Sequence, residues 1–263
     1  MKKIWLMGGF GNVLFQILAY NIIKKKGNTD ISYITTLTEH NFITKTIKWS
    51  VHQKLYADLI SDSQIKKINN CYALFAIFIG FISKFLGLFL KFSTFYINKK
   101  NIDNTKLSTN IFGYFQEKSF LKNHIDDLQS LGSVIKEKYQ LDTQYKTVVH
   151  YRKGDSGWAI THGKYYESIR EMLKNEDGQI YVVTDSYEDG KIFFSDIKNV
   201  QVLNSTNAIE DFKTMVSSEK LYCAPSTFSW WAAHALDEKS IVVAPEFLEN
   251  DLGMYVKGRC ILI

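Results

Sequence analysis

Arginine is scarce. Only Arg152, Arg170 and Arg259 occur among the 32 lysines and arginines, and the net charge of +5 is spread along the 263 residues without a dense basic block. That excludes a nucleic-acid-binding arm and leaves a local basic site for a phosphorylated small molecule as the better fit. Cysteine is scarce too. Cys71, Cys223 and Cys260 are odd in number and far apart, which points to neither a disulfide framework nor a zinc ligand set, so reduced thiols are expected. The chain also lacks a spanning segment: the apolar run at 71–97 is interrupted by Lys84 before it reaches the roughly 20 uncharged residues that crossing a bilayer needs. No secretion signal is expected, because a glycine turn arrives at residue 8, where the apolar core of such a signal would still be running. A cytoplasmic protein is expected on this reading.

What is present is a large apolar complement. With 46% hydrophobic residues the chain can bury one large core or two small ones. Two lobes are read, 1–140 and 141–263.

The first feature is GGFGNVLFQI, residues 8 to 17. KKIWLM before it reads as a short buried strand, and Leu14, Ile17 and Leu18 recur at helical spacing after it. A strand, a tight glycine turn and a helix aim backbone N–H groups and a positive helix end at an anion, most often a phosphate. The stretch is neither the GxGxxG fingerprint nor a P-loop, and a plain strand-to-helix connection reads equally well from these residues alone.

From about 145 the pattern becomes regular. TVVHY, QIYVVTD, VQVLN, KLYCA and SIVVAP read as strands, the last of them the final one. KYYESIREML, a stretch near 188–194, AIEDFKTMVSSE and FSWWAAHAL read as the helices between them. Strands alternating with helices of about ten residues imply βαβ units and a parallel sheet covered on both faces, hence a Rossmann-like C-terminal half. Ligands of such sheets bind outside the carboxyl ends of the strands. That rule selects His150 to Asp155, Thr184 with Asp185, and Pro225 to Ser229.

One of the three arginines, Arg152, comes directly after a buried strand. A diphosphate needs a planar, always-charged fork that lysine does not supply, so Arg152 is the candidate anchor, against the commoner fate of a surface ion pair. PSTFS, at the start of the helix carrying Trp230 and Trp231, gathers hydroxyls and N–H groups as a second anion cradle, or as simple N-caps. The two tryptophans read as packing residues.

These residues carry a resemblance. GGFGNVLFQ is similar to the GGLGNQMFQ opening of family 11 glycosyltransferases, the bacterial α-1,2-fucosyltransferases. HYRKGD resembles their HxRRGD, GYFQEKSF their GYFQSEKYF, and PSTFSWWAAHAL their NSTFSWWAAWL; YVVTD and DFKTM stand at matching places. The resemblance implies a GT-B-like α/β fold of two Rossmann-like lobes with the nucleotide site in the C-terminal lobe; the apolar run 71–97, the least family-like stretch, reads from its own residues as an apolar helical segment of the N-terminal lobe. The resemblance also implies transfer of L-fucose from GDP-β-L-fucose to a sugar hydroxyl with inversion, without metal or other cofactor, onto an oligosaccharide or lipid-linked glycan in bacterial surface-glycan synthesis. Gly9, Gly11 and Asn12 would reach across to the donor's pyrophosphate and fucose. Arg152 would bind the β-phosphate with Lys153 beside it, His150 would lie near guanine, and Asp211 would accept from guanine N1–H and N2–H₂, two adjacent donors that suit a two-oxygen acceptor. Ser226, Thr227 and Ser229 would hold phosphate or ribose oxygens, and Asp185 would belong to the same site.

The chain departs from the family pattern at Val13, where glutamine is usual, at Lys153, where a second arginine is usual, and at Thr184-Asp185-Ser186, which has a single acid. Asp155 is the first candidate for the base that accepts the acceptor's proton, with Glu117 and Asp185 as alternatives. DSYED at 185–189 resembles a metal-binding DxD, but helix capping by Asp185 is the preferred reading. The run at 71–97 reads either as helices buried between the lobes or as an in-plane element touching the inner face of the cytoplasmic membrane. Two other functions stay open: a transferase using another GDP-sugar, and a catalytically silent GDP- or glycan-binding protein.

Overall fold

The computed structural model describes residues 2–27, 30–38, 56–85, 95–97, 110–153, 163–205 and 207–263, with backbone alone at 70, 79–85 and 95–97. Its contacts divide the chain into two compact units, Met1–Asp127 and Leu128–Ile263.

The first unit is built from β1 (Lys2–Trp5), α1 (Phe10–Lys25), β2 (Ile31–Ile34), α2 (Asn70–Phe85), β3 (Phe95–Ile97), β4 (Asn110–Phe112) and α3 (Lys118–Asn123). Its sheet runs β2-β1-β4-β3 and every pair is parallel. Parallel neighbours need a crossover. α1 supplies the one between β1 and β2, burying Leu14, Ile17, Leu18 and Ile22 and placing Lys24 and Lys25 in its last turn, where cations suit the helix dipole. Trp5 stacks on Phe112 at 4.7 Å and donates its buried indole N–H to Asn110 Oδ1 at 3.1 Å.

The apolar stretch at 71–97 is not one helical segment, which corrects the sequence expectation. α2 ends at Phe85, residues 86–94 lie outside the described residues, and Phe95–Ile97 is a strand paired with β4. Aromatic and β-branched Phe-Tyr-Ile suits a pleated strand, and the ladder satisfies its backbone groups. Nor is α2 buried all round. Ala73, Ala76 and Ile77 pack on Trp5, Ile34, Leu37 and Phe112, while Phe75 and Phe78 are 59% and 61% exposed. Among the described residues no helix is long and apolar enough to cross a membrane.

The second unit begins within α4 (Ile125–Tyr139) and continues through β5 (Tyr145–Tyr151), α5 (Gly163–Leu173), β6 (Ile180–Thr184), α6 (Tyr187–Phe193) and β7 (Val200–Val202). It closes with α7 (Ala208–Val216), β8 (Ser218–Tyr222), α8 (Thr227–His234), β9 (Ile241–Ala244), α9 (Glu246–Asp251) and β10 (Arg259–Leu262). The sequence places the change of lobe at 140, yet the body of α4 packs on later elements of the second unit. Tyr139 meets Phe212 edge-on at 5.5 Å, Lys136 pairs with Asp237, and a side-chain carbon on Gly132 would stand 2.4 Å from the His234 carbonyl oxygen.

All six strands of this sheet are parallel, in the order β7-β6-β5-β8-β9-β10. Two sequence expectations are corrected here. The helix AIEDFKTMV ends at Val216 and Ser218 already opens β8, because its hydroxyl donates back to Met215 O at 2.7 Å and the backbone turns into the ladder. SIVVAP is not the last strand either: Arg259–Leu262 adds β10 beside β9. Its short run begins on a charged residue and is only partly covered, as an edge strand is, so it carries little apolar signal.

Candidate functional site

Numbered within the second sheet, the strand order is 3-2-1-4-5-6, the doubly wound order whose ligand crevice lies at the switch point between strands 1 and 4. Those strands are β5 and β8. β5 delivers His150 and Tyr151 at its carboxyl end with Arg152 next, and β8 leads through Cys223 to Ser226 into the N-terminus of α8.

His150 is buried and its Nδ1 meets the Ser229 hydroxyl, which also accepts the Ala224 N–H at 3.0 Å. Burial, with the Arg152 charge adding to it, pushes the imidazole down to about 3, so His150 is neutral at physiological pH. Its ring stands edge-on to Phe228 at 5.8 Å, and Phe228 contacts Phe212 at 5.1 Å, tying the middle of α7 and the start of α8 to the end of β5.

Arg152 is held at both ends. Its backbone N–H donates to the Tyr166 hydroxyl at 3.1 Å, and its guanidinium donates to Ser226 Oγ at 3.2 Å and lies 3.9 Å from Asp185. Ser226 is at once the N-cap of α8, accepting from Phe228 N–H at 3.2 Å, so one hydroxyl joins the arginine to the helix end. Ser229 is fully buried and Thr227 half-buried in the same first turn. Trp230 and Trp231 behind them are buried packing residues, the former donating to Gly253 O at 2.8 Å.

Asp185 does not cap α6; the N-cap position is Ser186. Asp185 instead accepts the Lys153 N–H at 2.9 Å, because β5 and β6 end side by side and bring the two loops together. Lys153 Nζ pairs with Asp189, which the Ser186 hydroxyl also contacts, and these bonds hold the Asp189 carboxyl below the usual range. Both outer acids of DSYED are thus engaged by residue 153. Among the described residues no group of three His, Cys, Asp or Glu is placed to hold a metal ion.

Asp211 sits in the first turn of α7, half-buried. Desolvation raises its carboxyl to about 6; the Ser205 hydroxyl opposes this and the charges of Glu210 and Asp185 add to it. A carboxylate kept partly out of water gains most from an incoming pair of N–H donors. His150, Arg152, Lys153, Asp185, Asp211, Ser226, Thr227 and Ser229 all lie at the carboxyl-end side of this sheet. Asp155, the first candidate base, lies outside the described residues.

Gly9, Gly11 and Asn12 belong to the first unit. Gly9 is the N-cap of α1, and Gly8 before it has φ +81°, a conformation that requires glycine. Val13, in the place of the usual glutamine, is 2% exposed and packs in the core. Glu117 is half-buried at the N-cap of α3.

Four residues that organise these loops went unread in the sequence. Tyr166 holds Arg152 from α5, and Ser205 flanks Asp211. Gln16, fully buried, accepts from Met7 N–H at 2.9 Å and donates to Met7 O and Gly113 O, both at 3.2 Å, locking the ends of β1 and β4 together. Gln116 donates to Asn12 Oδ1 at 2.7 Å.

The sequence matches no protein-family model and no curated protein. Among solved structures, the chain is similar to Escherichia coli heptosyltransferase WaaC with ADP, at 13% identity over 100% of this chain and 93% of that one, with a TM-score of 0.50. It also matches NodZ α-1,6-fucosyltransferase soaked with GDP-fucose, at 10% identity over 89% and 92% with a TM-score of 0.40. MurG from Acinetobacter baumannii matches at 12% identity over 100% and 86%, with a TM-score of 0.39. The fold is GT-B-like. This chain holds two parallel α/β units, the second in full doubly wound order.

Proposed function

We propose that the protein is an inverting, metal-independent glycosyltransferase that moves L-fucose from GDP-β-L-fucose to a sugar hydroxyl, the 2-OH of a galactoside. One observation carries this reading: a guanidinium tied to the N-cap of α8 at the switch point of the second sheet, with a desolvated carboxylate on the neighbouring helix. The first suits a diphosphate and the second suits the donor edge of guanine. The sequence motifs shared with α-1,2-fucosyltransferases support the choice of fucose and of the linkage.

In the reaction the acceptor oxygen bonds to the anomeric carbon as the bond from that carbon to the β-phosphate oxygen breaks. GDP leaves with the electron pair, and the acceptor's proton passes to a base, for which Asp155 is the candidate. Arg152, Lys153 and the first N–H groups of α8 stabilise the negative charge that grows on GDP. His150, neutral and fixed on Ser229, adds no charge and serves as a wall of the nucleotide site. Lys153 also neutralises Asp189, which supports a metal-free reading of DSYED. The exposed Leu74, Phe75 and Phe78 on α2 suit a peripheral contact with the membrane that carries a lipid-linked acceptor.

Calorimetric titration tests the recognition half of this proposal. GDP is expected to bind at least tenfold more tightly than ADP or UDP, since adenine would set a lone pair against the carboxylate. Asp211→Ala is expected to weaken GDP and narrow its lead over ADP, and Arg152→Ala to weaken both about equally. An unchanged guanine preference in Asp211→Ala would overturn the assignment of Asp211.

A further inference from the structure

We infer that Ser229 is a positioning residue: its hydroxyl fixes the tautomer of His150 with the ring proton on Nε2, so that His150 offers a bound nucleotide an N–H donor. The inference rests on the reading of the switch point of the second sheet as the nucleotide site.

A serine hydroxyl has one proton and two lone pairs, and a neutral imidazole has one N–H and one bare nitrogen. Which way a bond between them runs depends on what else each group must satisfy. Ser229 is 0% exposed in the first turn of α8, so water does not compete for its proton. Its Oγ accepts the Ala224 N–H at 3.0 Å, and among the described residues its only other bonding partner is His150 Nδ1. The hydroxyl proton therefore has one acceptor, a bare Nδ1. The opposite arrangement, with Nδ1–H donating to Oγ, would leave that proton buried without an acceptor, and an unpaired buried donor costs more than a typical bond gains. His150 carries one ring proton rather than two, since burial and the Arg152 charge hold it neutral. That one proton stands on Nε2.

The same bond fixes the ring's direction. A half-turn of the imidazole would set a ring carbon against the Ser229 hydroxyl and lose the bond, and Phe228 stands edge-on beside the ring at 5.8 Å.

His234, at the other end of α8, shows what a purely structural histidine looks like in this unit. It is buried and neutral as well, but its Nδ1–H donates to the Trp230 carbonyl at 2.7 Å and its Nε2 accepts the Tyr255 N–H at 3.1 Å, so both nitrogens are used. His150 differs. Among the described residues its Nε2 meets no protein acceptor, and it is not one of the polar atoms sealed from the surface. A donor left over beside Arg152 at the end of β5 is completed by an oxygen of the nucleotide.

Long-range ¹H–¹⁵N spectra of ¹⁵N-histidine-labelled protein at pH 7 test this directly, with His150→Gln identifying the signals of residue 150 and His234 giving the opposite tautomer in the same chain. The wild type is expected to show a protonated Nε2 and a bare Nδ1 at His150; a protonated Nδ1 would overturn the inference. On saturation with GDP the Nε2–H signal should shift, and an unmoved signal would remove its role as a donor. In Ser229→Ala the Nδ1 signal should leave its hydrogen-bonded position and GDP affinity, read by calorimetry, should fall roughly tenfold, the scale of one neutral hydrogen bond. Ser229→Thr keeps a hydroxyl and should restore both. Should its added methyl prevent folding, the double variant decides: Ser229→Ala should cost nothing further in the His150→Gln background, whereas the same tenfold loss there would make Ser229 a direct contact or a packing residue and overturn the inference. So would an unchanged Nδ1 signal or unchanged affinity in Ser229→Ala. Absence of GDP binding by the wild type would speak against the proposed function instead, and the tautomer and the Nδ1 signal of the two unliganded proteins would then decide the inference.

Discussion

Asp211→Asn should make the unliganded protein more stable while making it a poorer binder of guanine. The substitution keeps size and removes charge. In the folded chain the carboxyl sits at about 6 against a reference of 3.8, a difference worth ~3 kcal/mol at about 1.4 kcal/mol per unit. Asp211 is only half-buried, so solvent screening reduces this to ~1–2 kcal/mol. The folded state holds this proton more tightly than the unfolded chain does. The group therefore contributes stability below 3.8 that is lost as pH rises through about 6, and at pH 7 its ionisation is a cost. Asn removes that cost, so urea melts should show the variant ~1–2 kcal/mol more stable at pH 7.5, with the gain shrinking at pH 4.5.

Ligand binding should move the other way. A donor that needs the carboxylate loses about tenfold in affinity from pH 7 to pH 5, since each unit below the carboxyl's own value costs a factor of about ten. GDP-fucose suits the titration because its diphosphate is esterified at both ends and takes up no proton in that range. In Asp211→Asn the affinity should be lower and flat with pH. A variant less stable than wild type at pH 7.5, or equal pH slopes in the two proteins, would refute the reasoning.

Arg152→Lys should lose turnover by a factor of ~10² or more while melting as the wild type does, because a point charge cannot reproduce the fork that strengthens as GDP departs; full activity in a folded variant would remove Arg152 from the mechanism. Gly132→Ala should destabilise by ~1–3 kcal/mol through overpacking, against the usual gain of alanine in a helix, because its side chain would meet the His234 carbonyl at 2.4 Å; thermal melts check the sign. Excess chelator should leave the rate unchanged; abolition by EDTA with rescue by Mn²⁺ would make DSYED a metal site.

The second unit was legible because each of its inner strands is a continuous apolar run with a helix of about ten residues after it, and because a parallel sheet puts its ligand groups at strand ends. That rule alone selected His150, Arg152, Asp185 and Ser226, which stand at the carboxyl-end side of the second sheet. What escaped is non-local. β10 is an edge strand with half-covered residues, and its place is set by pairing with β9 rather than by its own pattern. α4 was read with the first lobe since nothing in its apolar spacing says which unit it faces, whereas the clearance at Gly132 does. The bond between Asn12 and Gln116 joins residues 104 apart, and the positive φ of Phe115 contradicts every local preference of phenylalanine. Asp185 was misread as a cap because its true partner, the Lys153 N–H, comes from the neighbouring strand's loop.

Transfer of fucose from a guanine nucleotide, the proposed activity, is read directly from turnover. Purified protein is incubated with GDP-fucose, GDP-mannose, ADP-heptose and a UDP-sugar, each against a panel of galactosides, and the linkage of any product is determined by NMR. Release of GDP from GDP-fucose alone is expected, with an α-1,2-fucosylated galactoside as the product. Transfer from the ADP- or UDP-sugar in preference, or binding of GDP-fucose without transfer to any acceptor in the panel, would contradict the proposed activity.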